Sequence, residues 1–231
     1  NRPDKINAIN LKMVKDIRNI LEKWENNDGI RAILFESLSD RGFCSGGDLV
    51  HLYKDFITND DCKNKDELFI KEFDLDKYVA AYKKPIVSYW KGIVMGGGIG
   101  ISINSDFIIC DESVKWAMPE TSLGFVPDVG VGKFISSLPQ ALGQYLGLCG
   151  ERLESPDLIK HGLAHAYVDS KDYEELREKF FELSESYRGN ELIEKLREEA
   201  EKYKKEIHET LVEKNADEIE KYLDTLEYKD K

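Results

Sequence analysis

Paired cysteines, long apolar runs and surplus positive charge are what this sequence lacks. Its four cysteines, Cys44, Cys62, Cys110 and Cys149, are widely spaced and form no CxxC, which argues against a zinc site or disulfide framework and for a reducing compartment. No apolar stretch is long enough to span a bilayer, so no membrane association of that kind is expected. Lys and Arg number 33 against 45 Asp and Glu, a formal net charge of −12 with a pI near 4.9. That balance argues against general nucleic-acid or anionic-membrane binding, though it leaves room for a local basic patch around a phosphate-bearing ligand. His51, His161, His165 and His208 lack metal-ligand spacing, and no metal is expected. The glycine clusters fit neither GxGxxG nor a Walker loop, which removes the nucleotide-binding readings. There is no internal repeat. The chain opens at Asn1-Arg2-Pro3-Asp4 without methionine or a signal or transit segment, so any such segment is expected to have been removed.

What is present is 231 residues, 41% hydrophobic and 34% charged, enough for a sizeable core in one domain with a possible appendage. Asn10 is placed to cap a helix through about Asn26, with Leu11, Val14, Ile17, Leu21 and Trp24 at helical spacing. Arg31–Glu36 reads as a short buried strand. Gly42–Leu49 is a glycine-rich turn leading into a helix, and residues 59–65 form a polar linker. A helix over Asp66–Tyr82 has Leu68, Phe69, Phe73, Leu75, Val79 and Tyr82 as apolar positions, with Glu72 among them. Lys84–Val94 reads as one buried strand, Phe107–Cys110 and Val114–Ala117 as two more, and Ala164–Val168 as a fourth. Helices are expected at Val131–Leu138, at Pro139–Leu148, and after Ser155 as cap with Pro156 in first position. Strands and helices in alternation imply an α/β fold with a mostly parallel sheet. Residues 171–231 hold 20 acidic and 13 basic residues and form a charged helical region. Its apolar face (Leu192, Leu196, Ala200, Tyr203, Ile207, Leu211) suits packing or association rather than chemistry.

The stretch Met95–Gly132 organises the rest. A strand that ends in Gly96-Gly97-Gly98 and resumes as a helix bares several backbone N–H groups at one point, where negative charge is attracted. Gly46-Gly47 forms a second such bend. One bend alone is equally a tight strand-to-helix turn; two converging donors are what an enolate or a tetrahedral thioester oxyanion needs. Glu120 and Asp128, each behind a proline, are candidate acid–base groups, and desolvation there raises a carboxyl toward a useful range. Taken alone, each is also an ordinary surface-loop carboxylate. Cys44 has no histidine partner and suits packing, Ser45 forms no GxSxG, Asp48 suits a helix cap, and Trp90 and Trp116 suit the core. Lys54 is one of several surface lysines that could meet phosphates.

GFCSGGDL, KPIVSYWKGIVMGGGIGISI and above all WAMPETSLGFVPDVGVGKFISSLP resemble the crotonase superfamily of acyl-CoA enzymes, and within it the 3-hydroxyisobutyryl-CoA hydrolase branch. NRPDKINAIN and GLAHAYV are similar to its early and later segments, so the resemblance covers roughly residues 1–170. It implies a crotonase-like ββα spiral core over 1–170, followed by the helical region 171–231. It places the oxyanion donors on the N–H groups of Gly47 and Gly97, the acids at Glu120 and Asp128, and a substrate-side glutamate at Glu72. Hydratases of the superfamily carry a second glutamate at the position of Gly100, which counts against enoyl-CoA hydration here. The implied activity is hydrolysis of a short 3-hydroxyacyl-CoA, such as 3-hydroxyisobutyryl-CoA in valine breakdown. Enoyl-CoA hydratase or isomerase activity and a non-catalytic acyl-CoA-binding role are the alternatives. The resemblance calls for no cofactor, since CoA is part of the substrate. It also implies an acyl-CoA partner, a possible homo-oligomer, and a mitochondrial location with the cytoplasm as alternative.

Overall fold

Strand-forming runs of β-branched and aromatic residues alternate along the chain with helices, and that alternation makes every strand pairing parallel. The computed structural model describes residues 1–58 and 63–225. In chain order the strands are β1 (Ile33–Phe35), β2 (Gly42–Cys44), β3 (Ile86–Trp90), β4 (Ile93–Met95), β5 (Phe107–Cys110), β6 (Lys115–Ala117) and β7 (Ala166–Tyr167). The odd strands form one sheet, ordered β1-β3-β5-β7, and the even strands a second, ordered β2-β4-β6. Each odd strand runs on into an even one, or closes the sheet in the case of β7. The chain therefore winds as a spiral of strand, strand and helix.

The helices that carry the winding are α1 (Leu11–Glu25), α2 (Leu49–Thr58), α3 (Lys63–Ala80), α4 (Gly97–Gly100), α5 (Gly132–Ile135), α6 (Gln140–Cys149) and α7 (Ser155–Lys160). Asn10 caps α1 as expected, its Oδ1 accepting from the Met13 N–H at 3.0 Å. Val14 and Leu21 are buried on α1, while Trp24 is exposed at the edge of the apolar face. Of the expected polar linker, residues 59–62 lie outside the described residues, and Lys63–Lys65 open α3 instead.

Lys84–Val94 is two strands, not one. The chain turns at Lys91-Gly92, where Gly92 has φ +52 and a Cβ would sit 2.4 Å from the Arg41 carbonyl oxygen. Gly42 packs against the same corner, with room for no Cβ beside the Ile93 N–H. Two bare backbones therefore cross where the chain passes from one sheet to the other. β2 itself was read as turn, because Gly42-Phe43-Cys44 is too short to show alternation. At α7 the cap is Glu154, in a capping box with Asp157. The Ser155 hydroxyl is drawn instead to the Asp111 carbonyl at 2.5 Å, which moves Pro156 to second position.

The odd sheet is buried on both faces, which explains its nearly continuous apolar strands. Ile86, Trp90, Ile108 and Cys110 face the main core. Val87, Tyr89, Phe107 and Ile109 face outward and are covered by α8 (Tyr173–Ser186) and α9 (Gly189–Ala200) through Leu176, Phe180, Leu192 and Leu196. The expected single apolar face from Leu192 to Leu211 is broken. α9 ends at Ala200, Tyr203 lies in a 3-10 turn, and the Lys205 N–H donates to the Tyr167 carbonyl at 2.8 Å. Thr210 then caps α10 (Leu211–Lys214), and α11 (Ala216–Thr225) returns Ile219 to the main core. The chain has to leave helix geometry to travel from one core to the other. Among the described residues no helix is long and apolar enough to cross a membrane.

Gly92→Ala is expected to destabilise the fold by about 2–4 kcal/mol, combining a left-handed backbone with a close carbonyl contact. Urea unfolding followed by tryptophan fluorescence measures it; a loss below 1 kcal/mol (about the ordinary surface-substitution scatter) would mean the corner tolerates a side chain.

Candidate active site

The two glycine bends meet. β2 leads through Gly46, at φ +93, and Gly47 into α2, and β4 leads through Gly96, at φ +49, into α4. A Cβ on Gly46 would sit 3.6 Å from the Gly97 nitrogen and 3.6 Å from the Gly96 Cα, so the bends lie backbone against backbone. A Cβ on Gly98 would fall 2.6 Å from that of Cys44, which lays α4 flat on β2. Trp90 Nε1 donates to Ser102 Oγ at 2.9 Å, and that hydroxyl donates to the Gly98 carbonyl at 2.6 Å, pinning the far end of α4. Among the described residues, the N–H groups of Gly47 and Gly97 have no acceptor.

Glu72, Gly47, Gly97, Glu120 and Asp128, the five residues the sequence singled out, line one cavity of about 300 Å³. Glu72 comes from the inward stripe of α3. Its Oε1 would lie 2.1 Å from a Cβ on Gly97, so a side chain there would displace the Glu72 carboxyl. Glu120 opens a 3-10 turn, Glu120–Leu123, closed by Gly124 at φ +73. Its Oε1 would lie 2.9 Å from a Cβ on Gly96. Asp128 precedes Val129, a buried β-branched residue held at φ +47. Such a backbone is strained by roughly 1–2 kcal/mol, and it fixes where Asp128 points. The apolar walls include Leu68, Phe69, Leu123 and Phe125.

Burial, then the charges of Asp128 and Glu120, raise the Glu72 carboxyl to about 7. Burial raises Glu120 to about 7, against its own backbone hydrogen bond and with the help of Asp128. Burial also raises Asp128. Glu72 and Glu120 sit near neutrality, where an acid can give or take a proton in either direction.

Sequence reasoning missed Asp76. Phe73 stands among the apolar positions of α3, yet it is 41% exposed while Asp76 is 6% exposed, and neither Asp76 oxygen has a partner among the described residues. The available signal was an acid four residues after Glu72 in an apolar stripe. Gly100 faces the same place: a Cβ there would lie 2.5 Å from Val129 Cβ and 2.9 Å from Asp76 Oδ2. No longer side chain fits at that position.

Other expectations resolve as packing or capping. Cys44 is buried and its thiol is pushed up to about 12, which makes it inert at neutral pH. Asp48 Oδ1 accepts from the His51 N–H at 3.0 Å and so caps α2, and its other oxygen pairs with Arg2 at 2.8 Å. Trp90 and Trp116 are fully buried. A groove of about 430 Å³ holds Arg2, Lys5, His51 and Lys54, and shares Ser45, Gly47 and Leu49 with the acid-lined cavity.

The family model described as enoyl-CoA hydratase/isomerase matches residues 1–230. The chain belongs to the enoyl-CoA hydratase/isomerase family. A curated relative from Xenopus tropicalis, named 3-hydroxyisobutyryl-CoA hydrolase, mitochondrial, is 37% identical over 171 residues, covering 74% of this chain and 44% of its own length. One from Neurospora crassa, named small ribosomal subunit protein mS47, is 36% identical over 185 residues, covering 80% of this chain and 36% of its own. The chain thus spans less than half the length of these relatives. A crystal structure of a carnitinyl-CoA dehydratase from Mycobacterium thermoresistibile superimposes with a TM-score of 0.82 at 29% identity, over 96% of this chain and 61% of that one. The spiral of paired sheets is the crotonase fold of this family.

Gly100→Ala should cost about 1–3 kcal/mol of stability through overpacking, and Gly100→Glu should not fold. Circular dichroism melts decide both; a folded, active Gly100→Glu enzyme would show that the hydratase-type carboxyl can be accommodated.

Proposed function

We propose that this protein hydrolyses the thioester of a short 3-hydroxyacyl-CoA, with 3-hydroxyisobutyryl-CoA as the substrate and valine breakdown as the setting. The observation that supports this most directly is the convergence of two free N–H groups and three carboxyl groups, each raised by burial, on one cavity. The Gly47 and Gly97 amides would receive the carbonyl oxygen as it becomes an oxyanion. Glu120 would attack the carbonyl carbon or take a proton from a water that does so. In the first route the C–S bond breaks to leave a Glu120 mixed anhydride, which water then cleaves to the free acid and Glu120. In the second the water oxygen adds directly and the C–S bond breaks, and in both the thiolate leaves with a proton. Asp128 would hold the substrate hydroxyl or assist that proton transfer, and Glu72 would line the acyl site. The adjoining groove, lined by Lys5, Lys54 and an Arg2 paired with Asp48, would offer cationic surface for the CoA phosphates in an otherwise acidic protein.

In this reading residues 1–170 carry the acyl-CoA core, and residues 171–231 form a charged helical region that packs and associates rather than reacts. Assembly as a homo-oligomer and a mitochondrial location belong to the same proposal, with the cytoplasm as alternative. The relative named as a mitochondrial hydrolase supports the location. A second reading, enoyl-CoA hydration, is favoured by the dehydratase likeness and opposed by the filled space at Gly100. A binding role without turnover is the third, since one relative carries a ribosomal name.

Thiol release over a panel of hydroxyacyl-CoAs, set against loss of enoyl absorbance, separates the three. Glu120→Gln and Asp128→Asn should each lower kcat about 100-fold or more. The wild-type rate should rise with pH through about 7, where Glu120 ionises, and that limb should vanish in Glu120→Gln. Near wild-type hydrolysis by both variants would overturn the assignment.

A further inference from the structure

Asp76 is the one buried acid at this site that the reaction above does not use. It lies one turn beyond Glu72 on α3, on the same face. Both its oxygens and Glu72 Oε1 are buried without a hydrogen-bond partner among the described residues. Its Oδ2 and Val129 fill the space above Gly100, which brings it against the segment that carries Asp128. Asp76 and Asp128 also line one second cavity, of about 660 Å³, whose other polar walls are Lys77, Asn104 and Lys133.

We infer that Asp76 is a positioning residue of this site: held as a neutral acid, it donates its one hydroxyl hydrogen to the Glu72 carboxylate, one turn back on the same face. The inference rests on the function proposed above and adds a residue to it. Three ionised acids in so dry a space would repel one another. A proton on Asp76 removes a charge and supplies the donor that Glu72 Oε1 lacks. Burial first, then the charges of Glu72 and Asp128, push the Asp76 carboxyl up to about 8, so it keeps that proton at neutral pH. The charged groups around it are Glu72 and Lys77 on α3, Asp128 on the preceding loop, and Lys133 on α5. α1 also packs on α3, but its Lys15 pairs with Glu67 and its Arg18 donates to the Asp74 carbonyl. α4 contributes only the Gly100 backbone.

Asp76→Asn keeps a donor and cannot ionise, whereas Asp76→Leu keeps the branched shape, though bulkier, and has no donor. The kcat of Asp76→Leu should fall about tenfold below that of Asp76→Asn, the size of a lost hydrogen bond to a charged group. Above about pH 8 the wild-type rate should decline as Asp76 ionises, and Asp76→Asn should not follow that decline. A substrate-free measurement decides separately whether Asp76 holds the proton. A group with its folded pKa raised loses stability as pH climbs from the unfolded value, 3.8, through about 8. The Tm of Asp76→Asn minus that of the wild type should therefore grow between pH 5 and pH 8. Equal kcat in the Asn and Leu variants, or a Tm difference independent of pH, would overturn the inference. Absence of thioester hydrolysis in the wild type would remove the proposed function, and the Tm difference would still decide the protonation of Asp76.

Discussion

Carboxyl groups buried without cationic partners are the constraint on which this structure turns. Ordinarily an unpaired acid in a core is expelled or neutralised. Here Glu72 and Asp76 occupy the inward face of α3, where the helical period calls for apolar residues, and Leu68, Leu75 and Val79 around them are buried. Their placement fixes what can stand opposite. Gly97 and Gly100 are where α4 meets those acids, and at both positions a Cβ would collide. Glycine is therefore needed in α4 for two independent reasons, to free backbone donors and to leave room for carboxyl groups.

The strain is placed to match. Val129 adopts a left-handed backbone that β-branched residues avoid, and it rests in the space that Gly100 leaves open. The acid beside it is thereby aimed by the main chain rather than by a side-chain rotamer. On the other side of α4, the chain from Trp90 through Ser102 to the Gly98 carbonyl ties the turn to the core of the odd sheet. The donors and acids are held from both ends by groups that have little freedom to move.

Much of this was legible in the residues. The cap at Asn10, the strand Phe107–Cys110 and the two glycine bends followed from local chemistry, because each depends on neighbours within a few positions. Glu120 and Asp128 stand out as proline-flanked acids and Glu72 through motif resemblance, and the structure brings them together with Gly47 and Gly97. What escaped was set at long range. The turn at Gly92 depends on Arg41, some fifty residues earlier. Burial of Asp76 in preference to Phe73 depends on the loop that carries Val129. The break after Ala200 depends on where β7 lies, since Lys205 pairs with Tyr167. None of these partners is visible in a window of sequence.

The two-sided burial of the odd sheet carries a consequence for how the molecule assembles. The outer faces of β3 and β5 are closed by residues late in the chain, Leu176, Phe180, Leu192 and Leu196 among them, and Tyr173 reaches back to Glu36 across 137 positions of chain. A nascent polypeptide would have both glycine bends in hand well before it had the helices that keep water off the sheet behind them. Closing the sheet depends on contacts distant in the chain, and topologies built on such contacts gain their stabilisation only after long loops have closed.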